Sequence, residues 1–256
     1  MGSSIWDAMV LFRARRVSQA YPVVLALGCL AGLGWLALRR GVSAGDEAHS
    51  LPAALLALAV GLVGARLAFA ALHGPYFLGN PIEVVWLWHG GLSWVGGVLG
   101  ALVAVGLYAG IRRLRLAPLA DALTLPALLV ALSAWTGCLL ESCVYGRPVP
   151  ASLFAPPSAD LFGVTLPRWP TAAVGMIATG LLVCAFLWVE GRAAAPGRRA
   201  ALALAGLAAI GLGLSFTRAD PALMVGATRI DTLGAAIVLG LAGGLAVMAR
   251  PPAVED

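Results

Sequence analysis

The sequence predicts an all-α integral membrane protein of about seven transmembrane helices, N-terminus outside and C-terminus cytoplasmic. Three observations carry the fold class. Of 256 residues, 61% are hydrophobic and 11% charged, whereas a soluble domain carries roughly 25% charged residues. The mean hydropathy is +0.92. The apolar residues form unbroken runs of about 18–23, close to the ~20 that a helix needs to cross hydrocarbon. A membrane barrel strand would instead alternate apolar and polar residues over ~10 positions.

The first span is predicted at 21–38. Arg13, Arg15 and Arg16 precede it and imitate a signal peptide. The run ends in Arg39-Arg40, not in a small-residue cleavage site, so it is read as retained. Residues 1–20 are expected to form an interfacial helix. The second span, 51–73, carries Arg66 among apolar residues, and a short aromatic loop follows with Tyr76, Phe77, Asn80, Pro81, Trp86 and Trp88. The third span, 91–111, opens on two Gly-Gly pairs, and the fourth covers 118–140. The linker 141–169 holds Pro148, Pro150, Pro156, Pro157 and Pro167, too broken and polar to span. The remaining spans are 170–189, 200–216 and 230–248, the last starting beside Asp231. No tandem repeat is visible, and the chain 1–256 reads as a single transmembrane domain with 141–169 as its outer loop.

Orientation follows from loop arginines. One side holds Arg39, Arg40, Arg112, Arg113, Arg115, Arg192, Arg198, Arg199 and Arg250, and the other holds Arg147, Arg168, Arg218 and Arg229. Setting the N-terminal segment aside, nine against four places the C-terminus inside. All 17 basic residues are arginine. That suits a GC-rich genome, and it also suits phosphate binding, because a guanidinium grips phosphate through two bonds. Nothing resembles a nucleic-acid module. Cys29, Cys138, Cys143 and Cys184 show no metal-ligand spacing, so neither a disulfide nor a zinc site is expected, and no cofactor.

This topology gathers His89, Ser93, Glu141, Tyr145, Arg147, Arg218, Asp220, Arg229 and Asp231 on one outward face. An arginine in a span costs about 2.5–3.5 kcal/mol or more on insertion. Arg66 therefore needs an anion, a carboxylate such as Asp231 or Glu141, or a path for its head to the interface. Glycine pairs let backbone approach a neighbour or a ligand closely. Asp231 reads as a helix cap, and Asp121 as a first-turn residue facing water.

Several of these motifs resemble one family. Gly64-Ala65-Arg66-Leu67, Asn80-Pro81, the run Trp88-His89-Gly90-Gly91-Leu92-Ser93-Trp94-Val95-Gly96-Gly97 and the segment Gly137-Cys138 to Tyr145-Gly146-Arg147 match, in order, motifs of the bacterial prolipoprotein diacylglyceryl transferases. Tyr21, Asp121, Pro170-Thr171 and the Arg218 region match further points. The resemblance implies a multi-pass enzyme of the bacterial plasma (inner) membrane. It would move a diacylglyceryl group from phosphatidylglycerol to the lipobox cysteine thiol of a lipoprotein precursor, forming a thioether. Its partners would be phosphatidylglycerol, the precursor's signal peptide and membrane lipid. The phospholipid site would comprise Tyr21, Arg66, Gly90, Gly91, Ser93, Gly96, Gly97, Tyr145, Gly146, Arg147, Arg218 and Arg229. The family usually has histidine where Val95 stands, arginine where Trp135 stands, and Gln and Glu where Ala172 and Gly175 stand. The catalytic base is then expected at His89 or Glu141; histidine titrates near pH ~6.5, which suits the task. A non-catalytic member that binds phospholipid or a signal peptide is the alternative reading. A transporter is a third, but no paired halves with broken helices are visible.

Overall fold

Seven helices of 18 to 26 residues are long and apolar enough to cross a membrane. The computed structural model describes residues 20–39, 48–87, 90–152, 154–160, 162–190 and 194–248. The spanning helices are α1 (Ala20–Arg39), α2 (Ser50–Leu72), α4 (Trp94–Arg112), α5 (Leu116–Glu141), α6 (Thr171–Val189), α7 (Arg198–Ser215) and α8 (Ile230–Met248). A short helix, α3 (Gly74–Gly79), and a 3-10 turn at Pro81–Val85 lie between α2 and α4. Two small antiparallel pairs sit in the connections: β1 (Pro157–Ala159) with β2 (Thr165–Pro167), and β3 (Met224–Val225) with β4 (Thr228–Arg229). One end of the bundle thus collects the start of α1 and the segments 73–87, 90–93, 142–152, 154–160, 162–170 and 216–229; we call it the loop end. The opposite, arginine-rich end carries the turns at 113–115 and 194–197.

Packing follows membrane logic: small residues face inward and large apolar ones face outward, since lipid gives helices no hydrophobic reason to associate. Ala53, Ala104, Ala208, Ala235 and Ala242 are at most 2% exposed, whereas Leu27, Leu30, Val103, Leu107 and Leu181 are at least 56% exposed. Helix α1 lies on α5 through glycine. A Cβ on Gly28 would collide with the Ser133 side chain, and one on Gly32 would come 3.0 Å from Pro126 Cα. Pro126 sits inside α5 without ending it. Helices α2 and α4 meet through Gly61, Gly64, Gly96 and Gly100; a Cβ on Gly64 would lie 2.7 Å from the Gly96 carbonyl oxygen, and one on Gly100 2.8 Å from that of Val60. Leu125, Leu128, Val183, Phe186 and Ala203 fill the space among α5, α6 and α7.

Helix ends depart from the sequence reading in two places. The third span begins at Trp94 rather than at 91. Gly90 and Gly91 have φ of 80° and 77°, which a right-handed helix cannot continue. Ser93 is instead the N-cap, its Oγ accepting the Gly96 amide at 3.4 Å. Asp121, expected to face water, crosses to the start of α7, where its carboxylate accepts the Gly197 amide at 2.7 Å and the Ala200 amide at 2.9 Å. The positive end of α7 gains an anion from a helix 76 residues earlier.

Candidate functional site

Arg66 is 5% exposed in the last two turns of α2. Its partners are backbone carbonyls. Nε donates to Val84 at 2.8 Å, one terminal nitrogen to Glu83, and the other to Gly90 and to Gly91, the latter at 3.0 Å. The rings of Phe69 and Phe77 lie 5.9 and 5.3 Å from its guanidinium carbon. The left-handed backbone at Gly90 and Gly91 aims both carbonyls back at the arginine. Carbonyl oxygens thus replace the anion expected at Arg66, and they, not Asp231 or Glu141, offset the cost of burying it. Tyr76 adds a 2.6 Å hydrogen bond to Glu83 within the same loop.

The glycines expected against lipid also have protein partners. A Cβ on Gly91 would lie 2.5 Å from the Phe69 ring, and one on Gly96 would lie 2.5 Å from the Gly64 carbonyl oxygen. Gly97 faces Ala65 and Gly61 at ordinary contact distance. Ser93 is occupied by capping, and its amide donates to the Ala65 carbonyl at 2.9 Å. Arg66, Gly90, Gly91, Ser93, Gly96 and Gly97 thus lie together where α2 meets α4, engaged with neighbouring protein atoms. Trp88 and His89 lie outside the described residues.

The segment Tyr145-Gly146-Arg147 runs through the middle of the loop end, joined to its neighbours by isolated β-bridges. The Arg147 amide donates to Thr217, the Ala219 amide to Tyr145, the Trp169 amide to Arg147 and the Val149 amide to Pro167. Tyr145 is 7% exposed. A Cβ on Gly146 would lie 2.1 Å from the Trp169 carbonyl oxygen, so only glycine lets the three segments close up. Arg168 is 4% exposed; it pairs with Asp160 at 3.0 Å and lies 4.9 Å over the Tyr145 ring. No partner for Arg168 is legible in the sequence, because Asp160 is brought to it only by the β1–β2 hairpin.

Next to this segment stands a neutral quartet of charges. Arg218 holds Asp220 through two bonds at 2.8 and 2.6 Å. Arg229 reaches the side chains of both Asp220 and Asp231 at 3.1 Å. Arg218 lies 3.6 Å from Asp231. Burial works against the charge on Arg218, but the hydrogen bond and charge of Asp220, with the charge of Asp231, outweigh it and hold the guanidinium above its ordinary value. Asp231, read as a cap, sits in the first turn of α8 and is also a counter-ion. Arg147 differs from its neighbours: it is exposed, and among the described residues its guanidinium has no hydrogen-bond or ion-pair partner.

Glu141, the last residue of α5, accepts the Tyr21 amide at 2.8 Å. That amide is one of the unpaired donors at the start of α1, so the carboxylate caps a neighbouring helix. Tyr21 itself packs on Gly137, where a Cβ would lie 2.8 Å from its ring. Cys138 and Cys143 form a disulfide, contrary to the sequence reading. Ser142 takes the left-handed conformation, φ 53° and ψ 32°, and the Ser142 and Cys143 amides both return to the Cys138 carbonyl. This turn brings residues five apart to a Cα separation of 4.9 Å, within bridging range. Val95 and Trp135 each fill a glycine notch: Cβ atoms on Gly234 and Gly175 would lie 2.4 and 2.5 Å from their side chains.

The model of the family described as prolipoprotein diacylglyceryl transferase matches residues 10–249. A phosphatidylglycerol–prolipoprotein diacylglyceryl transferase of Bordetella parapertussis is 32% identical over 200 residues, covering 75% of this chain and 74% of that protein. One from Azospirillum brasilense is 31% identical over 206 residues, covering 76% and 75%. One from Rhodospirillum rubrum is 33% identical over 162 residues, covering 62% and 57%.

Proposed function

The chain belongs to the prolipoprotein diacylglyceryl transferase family, and from that premise we propose that it moves the diacylglyceryl group of phosphatidylglycerol to the lipobox cysteine of a lipoprotein precursor. The cysteine sulfur attacks the glyceryl carbon that carries the phosphate ester. A C–S bond forms, the C–O bond to phosphate breaks, and glycerol phosphate leaves with the bonding pair. The thiol must first lose its proton, from a pKa near ~8.5. The leaving group must have its growing negative charge carried by a cation.

Arg147 is the observation that supports this reading best. Of the four arginines expected on the headgroup, Arg66 is committed to carbonyls, and Arg218 and Arg229 to Asp220 and Asp231. Arg147 alone among them offers an exposed guanidinium with no partner among the described residues. It stands on the segment beside the quartet, with Gly146 bridged to Arg218. We assign it to the phosphate of phosphatidylglycerol, with Tyr145, Gly146, Arg218 and Arg229 as its supporting surface. The proton acceptor is assigned to His89, because Glu141 is held by the Tyr21 amide. The loop end faces outward from the bacterial plasma membrane, in keeping with the arginine bias toward the opposite end.

Arg147→Ala tests the assignment. Transfer kinetics of the purified variant should show kcat/KM for phosphatidylglycerol lower by about 100-fold, the loss typical of one charge-stabilising donor. KM for the lipobox peptide should not change. An unchanged kcat/KM for phosphatidylglycerol would remove Arg147 from the headgroup.

A further inference from the structure

We infer that the Cys138–Cys143 disulfide is a redox-dependent positioning element for the phospholipid site, formed on the oxidising side of the membrane. The inference rests on the transferase reading above. Three features converge on one short segment. The disulfide ties the last turn of α5 to the residue after Ser142, whose left-handed backbone ends the helix. Between the two cysteines, Glu141 caps α1 through the Tyr21 amide, and one residue before them Gly137 receives the Tyr21 ring. Two residues after Cys143 the segment Tyr145–Arg147 begins, hydrogen-bonded on one side to Thr217 and Ala219 and on the other to Trp169. The bond therefore fixes the direction in which the chain leaves α5 and enters the segment that presents Arg147.

Helix ends fray unless they are held. Ser142 is not glycine, so its left-handed turn is disfavoured in an open chain. Cross-linking across that turn removes the open forms. With the cysteines reduced, the turn loosens, and Arg147 no longer stands at a fixed place relative to the quartet. The site then holds the phospholipid headgroup less tightly, while the chemistry at the thiol is untouched. Disulfides persist only in oxidising surroundings. The bond thus places the loop end on the extracytoplasmic side, independently of the arginine bias.

A water-soluble trialkylphosphine tests this without altering the sequence. It reduces the bond by taking up the oxygen of one water, giving phosphine oxide and two thiols. Untreated protein, denatured in detergent, should take two maleimide labels, on Cys29 and Cys184, and phosphine-treated protein should take four. In transfer assays, reduction should raise KM for phosphatidylglycerol about tenfold, the loss of one charge-assisted contact. KM for the peptide should stay within about twofold, while kcat falls as the leaving phosphate loses its fixed cation. Reoxidation should restore the lower KM, and C138S/C143S should behave as the reduced protein does. A role in folding alone would lower kcat by lowering the active fraction and would leave KM unchanged. Four labels before reduction, or an unchanged KM after it, would overturn the inference. Absence of product from the oxidised protein would sink the transferase reading instead; the label count and the phosphatidylglycerol affinity of the two redox forms would still decide the role of the bond.

Discussion

Removing the Arg66 guanidinium would strand the carbonyls of Glu83, Val84, Gly90 and Gly91 in an apolar setting. Each buried acceptor left unpaired costs ~1–3 kcal/mol. Arg66→Ala should therefore cost about 3 kcal/mol or more, read as a lower Tm in detergent and faster proteolysis within 74–93. Arg66→Lys should recover less than half, since a point-like ammonium cannot serve carbonyls spread along a planar fork. An unchanged Tm with lost phosphatidylglycerol binding would return Arg66 to the lipid. The sequence singles out both Arg66 and the glycine pair at 90–91. That each is the other's partner depends on the loop folding back over the end of α2, which positive φ at two glycines permits and no spacing rule announces. Arg147 is the opposite case. Its motif is legible, but its freedom is visible only once the neighbouring arginines have found their carboxylates.

At the scale of elements, helix ends are held by carboxylates from other helices. Asp121 of α5 caps α7 at the arginine-rich end, and Glu141 of α5 caps α1 at the loop end. Such contacts join residues 76 to 120 apart in sequence, so a local reading makes Asp121 a first-turn residue facing water and Glu141 a candidate base. The spans themselves are legible to within a few residues, because the apolar runs are long and the breaks between them carry prolines and arginines. The exception is the start of α4, where the glycine pair delays the helix by three positions from the expected 91 to Trp94. The capping role of Glu141 makes a testable distinction. Glu141→Gln keeps a carbonyl acceptor for the Tyr21 amide and loses only the favourable charge at the start of α1, worth ~0.3–1 kcal/mol. Its transfer rate across pH 5–9 should follow the unmodified protein. His89→Gln should lose ~100-fold or more, the usual contribution of a positioned base. The reverse pattern would place the base at Glu141.

In the whole molecule, the two ends of the bundle do different work. The arginine-rich end is built from helix caps and the Arg39–Glu190 pair, whereas the loop end sets two segments on either side of Tyr145–Arg147 and a neutral charge quartet beside one exposed arginine. Composition alone fixes the membrane class, and the ordered motifs from Gly64 to Arg229 carry the family. The departures at Val95 and Trp135 sit in notches left by Gly234 and Gly175, so apolar packing occupies positions where the family usually carries polar groups. Whether the loop end still performs the transfer is read most directly from product. Purified, oxidised protein should be incubated with phosphatidylglycerol and a lipobox peptide, and the peptide's mass determined. The account predicts a peptide heavier by one diacylglyceryl group in thioether linkage, with glycerol phosphate released in equal amount. A peptide of unchanged mass, with phosphatidylglycerol bound to the protein, would contradict it.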